Sequence, residues 1–137
     1  MSDANDFNSS VVAEFRANAG KVGGMFAGVP ILLLTTVGAR SGKERINPLA
    51  YTRDGNRYVI IASKGGAPTN PDWYHNLVAN PQATVEVGEE RFEVRAAVVN
   101  GEERDRLYAA QAELLPNFGE YQRKTSRQIP VFALERI

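Results

Sequence analysis

The sequence predicts an α+β domain in which about six antiparallel strands curl into a small barrel. Short β-rich runs recur from Ile31 onward, and most are joined by tight turn signals. Helical patterns are interposed between them without the strict strand–helix alternation of a parallel sheet. The chain is 137 residues long, enough for one buried core, and it carries no internal repeat. The expected organisation is one domain over 1–137, with an N-terminal helix and glycine-rich connection over 1–28 and a barrel over 31–137.

Phe7, Val11, Val12, Phe15 and Ala19 fall at helical spacing, with Asp6 or Asn8 placed to cap the start. This amphipathic helix reads as an arm packed on the domain or on a second subunit, or as a helix lying on a membrane surface. "GKVGGMFAGVP" then breaks the pattern with glycines and a proline. "ILLLTTV" reads as a short buried strand. Asp54-Gly55 marks a hairpin between two strand-like runs, and Tyr58 to Ala62 is apolar on both faces, as a central strand is. In "ATVEVGEERFEVRAAVV" the alternation puts Val85 and Val87, then Phe92, Val94, Ala96 and Val98, inward around a turn at Gly88. "IPVFALERI" supplies the last strand.

Asn70-Pro71 reads as a cap followed by proline at the first helical position, and Asn80-Pro81 as the end of that helix. Asn100 with Glu103 resembles a capping box, followed by a buried face of Leu107, Tyr108, Ala110, Leu114 and Leu115. Pro116 stops this helix, and a short one is expected over 117–126.

Composition removes several function classes. Sixteen basic side chains balance sixteen acidic ones, which argues against a nucleic-acid-binding domain. With no cysteine and one histidine, His75, thiolate chemistry and cysteine- or multi-histidine-ligated metal sites are out of reach. The absence of cysteine fits a cytoplasmic protein, and no apolar run is long enough to span a bilayer. No G-x-S-x-G elbow accompanies His75, which reads as an ordinary helix residue. If such a chain is an enzyme, its chemistry falls to a bound organic cofactor.

Two stretches concentrate polar groups. "GARSGKER" (38–45) gathers Arg40, Ser41, Lys43 and Arg45 at a glycine-bearing turn whose spacing is not that of a phosphate loop. It reads either as a solvated hairpin turn or as a clamp for phosphate or carboxylate groups. "SKGG" (63–66) places Ser63 and Lys64 at a strand end, with Gly65 and Gly66 able to bring the main chain close to a ligand. Taken together they read either as independent loops or as two parts of a site for one long anionic ligand.

The ordered series T-x-G-x-x-S-G-x-x-R-x-N-P, R-D-G, A-S-K-G-G, N-P-x-W-Y-x-N-L, A-N-P and "SRQIP" resembles the deazaflavin-dependent nitroreductase family, from about Ile31 to Pro130. The resemblance implies a split β-barrel, of the FMN-binding-like kind, that uses coenzyme F420 to reduce a quinone-like, nitroaromatic or enone acceptor. The coenzyme's phosphate and oligoglutamate tail would then be held by Arg40, Arg45, Ser63 and Lys64, assisted by Ser41 and Lys43. Asn47 and Pro48 would lie along the deazaflavin, Gly65 and Gly66 would offer main-chain donors, and Trp73 and Asn76 would form the helix face beside it. Phe118 and Tyr121 would line the acceptor pocket, with Tyr121 as candidate proton donor. The chain departs from the family pattern at Ala39, Ala50, Phe118 and Lys124. FMN is the alternative cofactor, and a non-catalytic carrier the alternative role. The resemblance further implies a small-molecule acceptor, a homodimer and a cytoplasmic location, with the N-terminal helix as the one candidate for membrane contact.

Overall fold

The computed structural model describes residues 3–23 and 28–137. Four helices, α1 (Asp3–Ala17), α2 (Asp72–Ala79), α3 (Gly101–Leu114) and α4 (Asn117–Lys124), accompany seven strands. These are β1 (Ile31–Val37), β2 (Glu44–Ala50), β3 (Thr52–Asp54), β4 (Arg57–Ile61), β5 (Gln82–Val87), β6 (Glu90–Val99) and β7 (Val131–Arg136). They form one antiparallel sheet in the order β2-β1-β5-β6-β7-β4-β3, curled into a split barrel.

One more strand is present than the sequence predicts, because the run from Ile46 to Asp54 is broken at Tyr51. There the chain leaves β1, bonds to the Pro30 carbonyl at 3.2 Å and starts β3. This single-residue corner brings the end of β2 back to β4. On the other side of the corner the edge of β2 has no strand partner among the described residues, and the barrel is split.

The tight hairpins follow from glycine. Gly55 (φ 59°) and Gly88 (φ 58°) each occupy the first position of a two-residue loop, where only a residue free of Cβ enters the left-handed region without strain. Tyr58 to Ala62 is apolar on both faces because both are covered. Ile60 and Ala62 join Leu32, Leu34, Trp73 and Phe132 inside the barrel, while Val59 and Ile61 pack toward α3 with Leu107 and Val131. The inward alternation holds through Ala96 and then changes face. Val98 is exposed and Val99 is buried, because α3 covers the opposite side of the strand end.

Helix α1 already spans Asp6 and Asn8, so neither caps it, and the Phe7 side chain lies outside the described residues, as do residues 24–27 of the glycine-rich connection. Val11 and Phe15 are buried, with Phe15 packed on Ile31 and Leu33 of β1. Burying such a side chain is worth about 1.5–3 kcal/mol. These apolar groups are therefore engaged by the sheet. Ala19 is not on the helix: it is left-handed (φ 55°), and Gly20 (φ 92°) follows, its amide bonded to the Phe15 carbonyl at 2.8 Å. A side chain at Gly20 would sit 2.7 Å from the Gly88 backbone, so the helix must end where it meets the β5–β6 hairpin. Arg16 fixes the same contact through two hydrogen bonds to Glu86, at 3.0 and 2.9 Å.

Two further capping expectations fail. Pro71, not Asn70, is the residue flanking α2, because the Asn70 amide is engaged elsewhere, by Arg127. Asn100 flanks α3 without a side-chain cap, and Glu103 instead binds Arg57. The buried face of α3 is Arg104, Leu107, Tyr108 and Gln111, whereas Ala110 is exposed and Leu114 is 69% exposed. Helix α4 stops at Lys124, two residues short of the expected end.

Candidate active site

The β1–β2 hairpin carries the first predicted cluster. Its loop closes with the Gly38 amide on the Lys43 carbonyl (2.7 Å) and the Gly42 amide on the Gly38 carbonyl (3.0 Å). Ser41 shapes this loop: its Oγ accepts from the Lys43 amide at 3.2 Å and lies where a side chain on Gly38 would be, 2.5 Å away. Arg40, Lys43 and Arg45 stand out from it, all exposed. Among the described residues none of the three meets a carboxylate.

Strand register sets the direction of the side chains along β2. Arg45, Asn47 and Leu49 pair with Thr36, Leu34 and Leu32, so all three point to the barrel-interior side of the strand. From Arg45 to Leu49 this row covers roughly 13 Å at strand spacing. Helix α2 is held against its start by Asn76. The Asn76 Nδ2 donates to Thr36 Oγ1 at 3.1 Å, and its Oδ1 accepts from the Ala39 amide at 2.9 Å. Asn76 is thus placed as a bracket for the basic loop. Trp73, 4% exposed, packs its ring on Phe132 at 5.8 Å and reaches the site with one edge. His75 is exposed, as expected of a helix surface residue.

The second cluster forms a single 3-10 turn, Lys64–Gly66, after β4. Lys64 is left-handed (φ 49°), an unusual state for a side-chain-bearing residue that its surroundings must enforce. Arg127 enforces it. Its guanidinium donates to the carbonyls of Ala62 (3.2 Å), Ser63 (2.8 Å) and Ala67 (2.8 Å) and to Asn70 Oδ1 (2.7 Å). Burial lowers the Arg127 pKa. Gly66 (φ 83°) faces α4 and has no room for a side chain, since one would lie 2.9 Å from the Tyr121 carbonyl. Lys64 Nζ lies 3.3 Å from Thr69 Oγ1.

Between the free edge of β2, the end of β4 and α4 lies a cleft of about 310 Å³. Pro48, Ser63, Lys64, Trp73, Phe118 and Tyr121 line it, bringing six predicted residues together. Arg40, Ser41, Lys43 and Arg45 stand outside it at the basic hairpin, and Asn47 leads from one to the other. Pro48 suits an edge strand, because it presents no N–H there. The far wall is aromatic: Phe118 and Tyr121 meet edge to face at 5.2 Å. Helix α4 is fixed by the Tyr108 hydroxyl, which donates to the Phe118 carbonyl, and by Gln122. Burial pushes the Tyr108 phenol up.

Arg127 and Gln122 were not legible as site residues. Gln122 Oε1 accepts from Arg104 (2.6 Å) and from the Ile129 amide (3.1 Å), while its Nε2 donates to the Arg127 carbonyl (2.8 Å). The sequence signal for Arg127 was its place in the "SRQIP" stretch of the family series, which assigns it no role. Val29, Leu115 and Asn117 also line the cleft without having been singled out. No group of three or more metal-ligating side chains occurs among the described residues.

The model of the F420H(2)-dependent quinone reductase family matches residues 8–136. An F420H(2)-dependent quinone reductase of Mycobacterium tuberculosis, Rv1261c, is 44% identical over 128 residues, which cover 90% of this chain and 86% of that protein. A solved F420-H2-dependent reductase, FDR-A, is 44% identical with a TM-score of 0.72, covering 77% of this chain and 94% of the other. A solved domain-swapped dimer is 36% identical with a TM-score of 0.74, covering 98% and 100%. With a split barrel open beside a cation-lined strand edge, and with sequence agreement along nearly its whole length, this chain belongs to the F420H(2)-dependent quinone reductase family.

Proposed function

We propose that this chain is an oxidoreductase that binds reduced coenzyme F420 along β2 and reduces a quinone in the cleft beside α4. The observation that carries this reading is the run of cations without carboxylate partners, Arg40, Lys43 and Arg45, leading through Asn47 to Ser63 and Lys64. Exposed cations gathered on one loop repel one another, and a polyanionic ligand relieves that repulsion. FMN has no carboxylate tail and would leave Arg40, Lys43 and Arg45 without a role.

The residues divide the work. Arg40, Lys43 and Arg45 bind the tail carboxylates, and Ser63 and Lys64 take the phosphate. Pro48 and Leu49 give the ring an apolar floor, while Phe118 and Tyr121 give the facing wall an aromatic surface for an aromatic acceptor. When bound, the reduced deazaflavin supplies a hydride. A proton from outside the coenzyme completes reduction of the quinone, whose two carbonyls become hydroxyls. The Tyr121 hydroxyl holds a proton at the cleft wall and is the candidate donor, with water as the other source. The apolar walls keep the acceptor close and aligned.

Because a 36% identical relative is a domain-swapped dimer, we also propose a homodimer, to be checked by sedimentation. No described helix is long and apolar enough to cross a membrane.

Stopped-flow mixing of enzyme, reduced F420 and menadione tests the function. The expected result is catalytic, one-for-one reoxidation of coenzyme and reduction of quinone. Tight coenzyme binding with no turnover across a panel of quinones would instead identify a carrier.

A further inference from the structure

We propose that Arg127 is a positioning residue for the anionic end of the coenzyme: it sets the Ser63–Gly66 turn in its anion-receiving shape and adds a positive charge whose counter-ion is the ligand. The proposal rests on reading the cleft as an F420 site.

Arg127 pins both ends of the segment from Ala62 to Asn70 through four acceptors, a span that suits the planar five-donor fork of a guanidinium. Ser63 and Lys64 line the cleft and Arg127 does not. The carbonyls of Ala62, Ser63 and Ala67 are therefore turned toward a group behind the lining, where their negative ends do not oppose an incoming anion. The same grip accounts for the left-handed Lys64, whose ammonium otherwise has no reason to be delivered at this point.

The charge of Arg127 is equally informative. Among the described residues the other two arginines that are not exposed both have carboxylate partners: Arg57 meets Asp54 and Glu103, and Arg104 meets Asp105. Arg127 has only neutral acceptors. A half-buried cation is costly without a counter-charge, and the phosphate expected at Ser63 and Lys64 provides one. Through its own carbonyl Arg127 is tied to Gln122, so the turn and α4 are held by one network. The anion site and the aromatic acceptor wall are thus set in relation to each other.

Oxidised F420 is titrated into wild type, Arg127→Lys and Arg127→Met at two salt concentrations, following Trp73 fluorescence. Hydrogen exchange across 62–70 is measured in the same proteins, and turnover at saturating coenzyme is recorded. For Arg127→Met the expected Kd rises roughly tenfold or more with a shallower salt dependence, as removal of a charge-assisted network requires. Arg127→Lys keeps the salt dependence and recovers part of the affinity, and kcat changes far less than Kd. A purely structural staple predicts faster exchange across 62–70 with wild-type Kd in the folded protein. That result, or identical Kd and salt dependence for Lys and Met, overturns the proposal. If Arg127→Met does not fold, Arg127→Lys decides alone: a weakened Kd with salt dependence retained supports the proposal, and a wild-type Kd overturns it. If wild type fails to bind F420, the coenzyme reading falls by itself, and inorganic pyrophosphate then decides on Arg127. Protection of 62–67 by pyrophosphate in wild type but not in Arg127→Met supports the role, and no difference removes it.

Discussion

The two hairpins on either side of the Tyr51 corner treat arginine in opposite ways. At the β3–β4 hairpin, Asp54 receives Arg57 and Arg106 (3.1 Å), and Glu103 also receives Arg57 (3.3 Å). At the β1–β2 hairpin, Arg40, Lys43 and Arg45 have no carboxylate among the described residues. A formal net charge of zero thus conceals strong segregation, with carboxylates neutralising one end and leaving the other positive. Saturated arginines serve the fold. Cations left without carboxylates repel one another, and under the proposed function the coenzyme relieves that repulsion.

Removing the core that both ends share gives the largest effect. Trp73→Ala deletes a buried indole from the contact with Phe132 and should cost about 3–5 kcal/mol of stability, measured by urea unfolding. Placing a carboxylate at the unpaired end should instead spare stability and damage binding. Arg45→Glu is expected to weaken F420 by roughly 10- to 100-fold, with the melting temperature almost unchanged and the effect fading in high salt. Removing the carboxylate from the paired end gives the smallest effect and the reverse pattern. Hydrogen bonds from Arg106 and then Arg57 hold the Asp54 carboxyl at about 2, below its ordinary 3.8. Its contribution is complete above pH 4 and is lost as pH falls from about 4 toward 2. Asp54→Asn should abolish that part of the acid dependence in thermal melts and leave the coenzyme Kd at neutral pH untouched.

Local signals were readable where one residue decides the geometry. Gly55 and Gly88 announced their hairpins because the left-handed region selects glycine almost alone. The basic loop and the Ser63–Lys64 turn stood out as candidate anion sites because charge and glycine concentrate there. What was not readable depends on partners far away in sequence. Asn70 looked like a helix cap, yet its amide binds a guanidinium 57 residues later. Arg127 looked like any surface arginine, since nothing local reveals three carbonyls more than fifty residues upstream. On α3 the apolar pattern placed Leu107 and Tyr108 correctly but missed the rest of the face, because Arg104 and Gln111 are buried in place of Ala110 and Leu114. Gln111, fully buried, receives a hydrogen bond from Thr52 at 3.2 Å, a contact no helical pattern contains.

The Tyr51 corner also has a bearing on how this scaffold could diversify. Tyr51, whose ring lies 5.7 Å from Tyr58 in the barrel, joins β2, one long wall of the cleft, to β3, which pairs with the other wall, β4. That residue acts as the hinge pin of a pair of jaws. Lengthening the chain there by one or two residues would spread the jaws while leaving the basic hairpin and the Arg127 grip in place. Jaw width, and with it the girth of acceptor admitted, can therefore vary among descendants of this fold without any change to the groups proposed to hold the coenzyme.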